Sequence, residues 1–333
     1  MSSTTLVRED LASVVASRSW RERVRWNALA PYVGLALVLA LWFVKRPQAF
    51  TVLNLNTQVL SAMTLALAAT AQTVVILSGG IDLSIAGVMS LTTAVFATRG
   101  VESHGSTVMW MLALVGVGVL CGVFNGIVIA YLQLQSFVVT LATWSVLTGL
   151  ALYALPQDGG NIPQWYVTDM SKKIAGLSIG FWFFVALAVF AVWFRRLRLG
   201  TAIRAVGSDR TGAFLSGVPT RLTVVTSFAI SGGFAALAGL FLTSQTASGS
   251  ANAGDPYLLT SIAAVVIGGT SLAGGRGGIG GSLVGAVIVT IIGSVVFAYR
   301  ISSFWTPLLV GVLLIASVIG GSALDAYSKR MTS

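Results

Sequence analysis

The sequence predicts an all-α polytopic membrane protein of about ten transmembrane helices, some short or broken, with both termini cytoplasmic. Three observations carry this. Of 333 residues, 56% are hydrophobic and only 9% charged, whereas a soluble domain carries about a quarter of its residues charged. The apolar residues come in long runs, most of them near the roughly 20 residues a helix needs to cross hydrocarbon, without the alternation of a barrel strand. The Lys and Arg residues sit at the run ends and in one central loop, so lipid headgroups and topology account for the net charge of +10 and nucleic acid is not expected as a partner.

In chain order, residues 1–28 mix acidic and basic groups, too many and too varied for a typical secretory signal, so the first span reads as an uncleaved anchor behind a cytoplasmic segment. The membrane domain covers 29–322, with spans expected at 29–44, 57–78, 83–98, 108–132, 136–155, 176–194, 222–243, 257–273, 279–298 and 304–322. The third and eighth are short. A cytoplasmic tail, 323–333, follows. Two loops are large: 156–175, whose Pro, Gly and Asn punctuation predicts a turn-rich periplasmic segment, and 195–221, rich in arginine. An inside N-terminus places Arg8, Arg18, Arg21, Arg23, Arg25, Arg195, Arg196, Arg198, Arg204, Arg210, Arg221, Arg276, Lys329 and Arg330 in the cytoplasm. Only Lys45, Arg46, Arg99, Lys172, Lys173 and Arg300 then fall outside, as the positive-inside rule requires.

Two motif matches fail on context. Leu77-Ser78-Gly79-Gly80 spells the start of the signature of an ATP-binding cassette ATPase, but lies between apolar runs in a chain without the Gly-Lys pair of a phosphate loop. Gly275-Arg276-Gly277-Gly278-Ile279-Gly280 fits the dinucleotide pattern, yet the next twenty residues hold no acid and enter a span. The single histidine, His104, falls in a short loop, and the single cysteine, Cys121, lies mid-span, so no intrachain disulfide is possible. No catalytic residue, metal cluster or cofactor loop emerges, and the chain is not expected to be an enzyme.

The glycines read as packing devices. Gly118, Gly122 and Gly126 recur every fourth residue, as do Gly277, Gly281 and Gly285, and Ser231, Ala235 and Gly239. Small residues at that spacing let helices approach closely.

Asp82 is the one charged residue between Arg46 and Arg99. A carboxylate in hydrocarbon costs several kcal/mol unless it meets water, a partner or helix-end amides. Gly79-Gly80 breaks the chain there, which leaves two roles open: Asp82 caps the helix that begins at Leu83, or it lines a polar translocation pathway. Gln72, Ser78, Ser84 and Asn125 are its companion polar residues within spans. In the inner loop, 201–206 and 209–216 predict two short helices separated by Gly207-Ser208, with Asp209 capping the second and Gly217-Val218-Pro219 ending it. Such a piece fits a partner's groove or an anionic lipid surface equally well.

Three stretches together resemble the permease subunits of bacterial ribose/xylose-type sugar importers of the ATP-binding cassette class. The family's GGIDLS element matches Gly79 to Ser84. Its AxVVIGGTSLxGGxG element matches Ala263 to Gly277, and Ala205 to Val218 is similar to its AxGGNxxAAxxSGI segment. The likeness extends from about residue 50 to 320. It implies a permease that pairs with a second copy or a paralogue and works with cytoplasmic ATPase domains and a periplasmic sugar-binding protein. It further implies an inner-membrane protein without cofactor that passes a monosaccharide or polyol. The ATPase-coupling element would be Ala205, Val206, Gly207, Ser208, Asp209, Arg210, Thr211, Gly212, Ala213, Phe214, Leu215, Ser216 and Gly217. This chain departs from the family in Gly207-Ser208-Asp209 for Gly-Gly-Asn, in Thr201 for the usual arginine, and in Gly212, expected to interrupt the coupling helix. The competing expectation is an ion-coupled secondary transporter or facilitator that uses Asp82 as its ion site.

Overall fold

A computed structural model describes residues 26–46, 51–99 and 103–330. Among the described residues the regular elements are helices apart from one two-stranded hairpin. In order the helices are α1 (Trp26–Lys45), α2 (Val52–Leu77), α3 (Ser84–Thr98), α4 (His104–Leu132), α5 (Ser136–Ala154) and α6 (Gln164–Ser171). Strands β1 (Lys173–Ile174) and β2 (Leu177–Ser178) lead into α7 (Ile179–Arg196), α8 (Arg198–Ser208), α9 (Arg210–Leu215) and α10 (Thr220–Thr246). The chain ends with α11 (Asp255–Ile267), α12 (Ile279–Ala298) and α13 (Trp305–Arg330). Each expected span falls on a helix, but the eighth is shorter than expected: α11 ends at Ile267, and 268–273 belong to the glycine turn and loop that follow it. Among the described residues six of these, α2, α4, α5, α7, α10 and α12, are long and apolar enough to cross a membrane; α1, α3, α11 and α13 have shorter apolar stretches.

Two central helices organise the bundle. α2 is buried without a break from Ala62 to Leu77, and α10 buries most of its length. A helix apolar on every side must be wrapped by others, and α2 meets α10, α11 and α12 while α10 also meets α3 and α4. The outer helices α4, α5 and α7 turn Leu120, Phe124, Val146, Val189 and Trp193 outward, the apolar belt a lipid environment favours.

The small-residue spacing does what the sequence predicts. On α4, a Cβ at Gly118 would overlap the carbonyl oxygen of Gly232, and one at Gly122 that of Phe228, so the backbones of α4 and α10 touch. Gly281 and Gly285 seat α12 against the carbonyls of Gly268 and Ala264 in the same way, and Gly239 lies against Met89 and Thr92 of α3.

The turn-rich reading of 156–175 needs correction. It contains α6 and the first strand of the hairpin, and α6 is held down by Tyr166, buried, whose hydroxyl donates to the Leu240 carbonyl at 2.8 Å. Gly159 pairs with Gly249 across loops, and Gly160 and Gly249 both lie against Ala97 at the end of α3. This end of the molecule is therefore closed by the connections α5–α6 and α10–α11.

Candidate functional site

The break after α2 is a Schellman turn: Gly80 N–H donates to Val75 O at 3.1 Å and Gly79 N–H to Ile76 O at 2.9 Å, with Gly79 at φ +87°. Ser78 is spent on the same task, its hydroxyl donating to Val75 O at 2.8 Å. Beyond the turn the chain is pinned to α5, since Ile81 N–H donates to Ser136 Oγ and Leu83 N–H to Thr140 Oγ1.

Asp82 points inward and is 2% exposed. Its Oδ1 accepts from the Ser84 amide at 2.9 Å and the Ser84 hydroxyl at 2.5 Å, and its Oδ2 accepts from the Ser231 hydroxyl at 2.7 Å. α3 begins at Ser84, one residue after the expected Leu83, and Asp82 holds the Ser84 amide. From Ser84 the network continues outward. Asn125 Nδ2 donates to Ser84 Oγ at 2.9 Å, and Thr143 Oγ1 donates to Asn125 Oδ1 at 2.6 Å. One carboxylate thus ties the α2–α3 break to α4, α5 and α10. Each buried donor left without its acceptor here would cost about 1–3 kcal/mol.

Asp82, Ser84 and Asn125 come together, and Gly79 and Gly80 form the turn beside them. Gln72 does not join this network by any hydrogen bond; it is buried within α2, and neither amide atom has a hydrogen-bond partner. Thr143 was missed, and Ser231 was read only as a packing residue. Serine and threonine in apolar helices usually bond back to their own helix, so neither stands out by composition.

A second convergence lies at the same end of the bundle. The α11–α12 connection opens with the same turn as the α2 break. Thr270 N–H donates to Val265 O and Gly269 N–H to Val266 O, with Gly269 at φ +80°. The matching strings are Val75 to Gly80, VILSGG, and Val265 to Thr270, VVIGGT. The two breaks are joined directly, Gly275 N–H donating to Leu77 O at 3.1 Å. Into this seam fits the end of α8. A Cβ on Gly207 would overlap Leu77 O and crowd Gly275 N, Gly274 lies against Gly207 and Gly79, and Gly275 lies against Ser208. Only glycine at 207 lets three backbones meet.

The inner loop differs from expectation in two respects. α8 runs unbroken from Arg198 through Gly207-Ser208, and the bend falls at Asp209, whose Oδ1 accepts from Thr211 N at 3.0 Å to cap α9. Gly212 does not interrupt α9; a Cβ there would meet the Asp209 carboxylate, so glycine leaves room for the cap. α9 ends as predicted, on Gly217 at φ +82°, with Val218 N–H donating to Ala213 O. Ile203, Val206 and Ala213 are buried, whereas Phe214 and Leu215 are 66% and 79% exposed.

Against known proteins, residues 54–318 match the family described as branched-chain amino acid transport system / permease component. The chain is 32% identical to a ribose import permease protein of Haemophilus influenzae over 88% of this chain and 92% of that protein. It is 34% identical to a fructose import permease protein of Rhizobium meliloti over 79% of this chain and 75% of the other. A ribose import permease protein of Escherichia coli is 29% identical, over 86% and 91%. No solved structure matches the chain.

Proposed function

We infer that this chain, which belongs to the family of branched-chain amino acid transport system permease components, carries a monosaccharide or similar polyol rather than an amino acid. It is a multi-pass inner-membrane subunit of an ATP-binding cassette importer and not an enzyme, ATP being hydrolysed on a separate subunit. The observation that carries the choice of cargo is similarity along nearly the full chain to ribose and fructose import permeases.

In this reading ten helices cross the membrane with both termini in the cytoplasm, and the chain pairs with a second copy or a paralogous permease. The junction of α8 with the two glycine turns faces the cytoplasm. Arg195, Arg196, Arg198, Arg204, Arg210, Arg221 and Arg276 gather at that end, which the positive-inside rule favours. The closed end, with α6 and the hairpin, faces the periplasmic sugar-binding protein. α9 is the element the ATPase grips: it is short, rigidly capped at both ends, and offers Phe214 and Leu215 to a partner's groove.

Movement of α9 pulls on α8. Because Gly207 is wedged between Leu77 and Gly275, that pull reaches both helix breaks, and through Asp82 it reaches α4, α5 and α10. Energy thus enters without a motor in this chain. Replacing Phe214 and Leu215 together by Asp is expected to abolish co-purification of the ATPase while the permease still inserts at normal level. Undiminished co-purification from the double variant contradicts the assignment of α9.

A further inference from the structure

After α10 the chain turns back into the bundle before it becomes helical again. Residues 247–254 form no helix, yet they run down the side of α3. Gly249 lies against Ala97, the Ser250 carbonyl accepts from Thr93 Oγ1 at 2.8 Å, and Gly254 N–H donates to Ser90 Oγ at 2.9 Å. A Cβ at Gly254 would overlap the Ala86 carbonyl. From Ala97 to Ala86 α3 covers about 16 Å at 1.5 Å per residue, roughly half the thickness of the hydrocarbon. α11 therefore starts inside the membrane, with Asp255 in its first turn. At the same level stands Trp144, near the middle of α5, whose backbone lies against Gly87 and whose indole Nε1 donates to Asp255 Oδ1 at 3.3 Å. Asp255 is exposed, as is Asn252 just before it, and Trp144 is half-buried. Among the described residues, Asp255 Oδ2 accepts no hydrogen bond and no cation pairs with the carboxylate.

Neither feature belongs against lipid. An exposed carboxylate at mid-depth is costly in hydrocarbon, and irregular backbone at that depth occurs only buried in protein or lining a water-filled cavity. A second copy of this chain cannot neutralise Asp255, because Lys and Arg are absent from the interior of every span. Water must reach this face. We propose that the face formed by α5, the 247–254 segment and the start of α11 lines the translocation path halfway through the membrane, with Asp255 as its contact for the hydroxyls of a neutral solute. Solute sites of transporters gather at such helix discontinuities near the bilayer midplane. An ionised carboxylate only accepts hydrogen bonds, through two oxygens, so it suits a molecule rich in hydroxyl donors, and its charge repels an anion. Trp144, fixed by its bond to Oδ1, adds an aromatic surface beside it. The class of solute rests on the importer reading; the position of the path does not.

The test uses the full chain reconstituted with its ATPase and binding protein, in a Cys121→Ala background that removes the only native thiol of the permease. Asn252→Cys is treated with a cationic and with an anionic methanethiosulfonate, neither of which crosses membranes, without nucleotide and with ATP bound. Val146→Cys, on α5 close to Trp144 and 62% exposed, is the lipid-facing control. Asn252→Cys is expected to react in at least one of the two states. It is expected to favour the cationic reagent about tenfold more than a free thiol does, as a carboxylate nearby requires, and to lose that bias when Asp255→Asn is added. Val146→Cys is expected to stay unmodified. Asp255→Asn, which keeps an acceptor for Trp144, is expected to slow ATP-driven uptake of whichever of D-ribose, D-fructose and myo-inositol the native complex carries, with ATPase co-purification unchanged. An Asn252→Cys chain unreactive in both states, the result if lipid or a partner covers the face, overturns the proposal. So do labelling without charge bias, equal labelling of Val146→Cys, or full-rate uptake by Asp255→Asn. The native complex separates the two claims. Uptake that needs ATP leaves the importer reading standing whatever the labelling shows, whereas uptake without ATP sinks that reading and not the position of the path.

Discussion

Asp82 accepts three hydrogen bonds, two from Ser84 and one from Ser231, within a buried site that joins four helices. That geometry argues for a structural cap rather than an ion site, and the two roles separate by substitution. Asp82→Asn keeps an oxygen for the Ser84 donors and gives Ser231 an amide to bond, so ATP-driven uptake is expected to survive. Asp82→Ala strands those donors at about 1–3 kcal/mol each and is expected to lower the thermal midpoint of the purified complex. An Asn variant of normal stability and no uptake would show that the charge itself works. The sequence revealed Asp82, Ser84 and Asn125 because a carboxylate and an asparagine are out of place in apolar runs. Ser231 and Thr143 were hidden, since hydroxyl residues are ordinary there and their partner is set by packing alone.

At the level of elements, the contact of α4 with α10 rests on backbone against backbone. Gly122→Leu forces the helices apart at the Phe228 carbonyl and is expected to destabilise by roughly 1–3 kcal/mol or more, read as loss of folded, monodisperse protein. Gly116 has open space where its Cβ would go, so Gly116→Ala on the same helix is expected to leave stability unchanged. Equal effects at both sites would refute the close-packing account. The every-fourth-residue ridges were legible because they are periodic within one helix. α6 and the β-hairpin were not. Their polar, turn-rich composition matches a loop, and only the Tyr166 anchor on α10 and the packing against α3 make them regular. The bend between α8 and α9 was misplaced by two residues for a related reason: glycine signals a break by propensity, but Gly207 is there for close approach, and the cap at Asp209 decides the bend.

Across the whole molecule, the features divide between two ends. The GGIDLS turn, the VVIGGT turn and the end of α8 meet at one, while α6 and the hairpin occupy the other. The three stretches that meet at the first end were visible in the sequence, and the long apolar runs located the membrane helices. Their meeting was not visible, because contacts among Leu77, Gly207 and Gly275 span distant parts of the chain and show no local pattern. The nearest sequence signal is the recurrence of VILSGG as VVIGGT, two turns of one geometry, each with glycine at the left-handed position. That meeting is where the account places the transfer of force. The direct test is uptake into proteoliposomes holding the complete complex, with the native chain or with Gly207→Val. The account predicts sugar or polyol uptake that needs ATP, and at least a tenfold loss (about 1.4 kcal/mol or more in coupling) for the variant at equal ATPase binding. Uptake driven by a proton or sodium gradient without ATP, or a Gly207→Val complex as active as the native one, would contradict it.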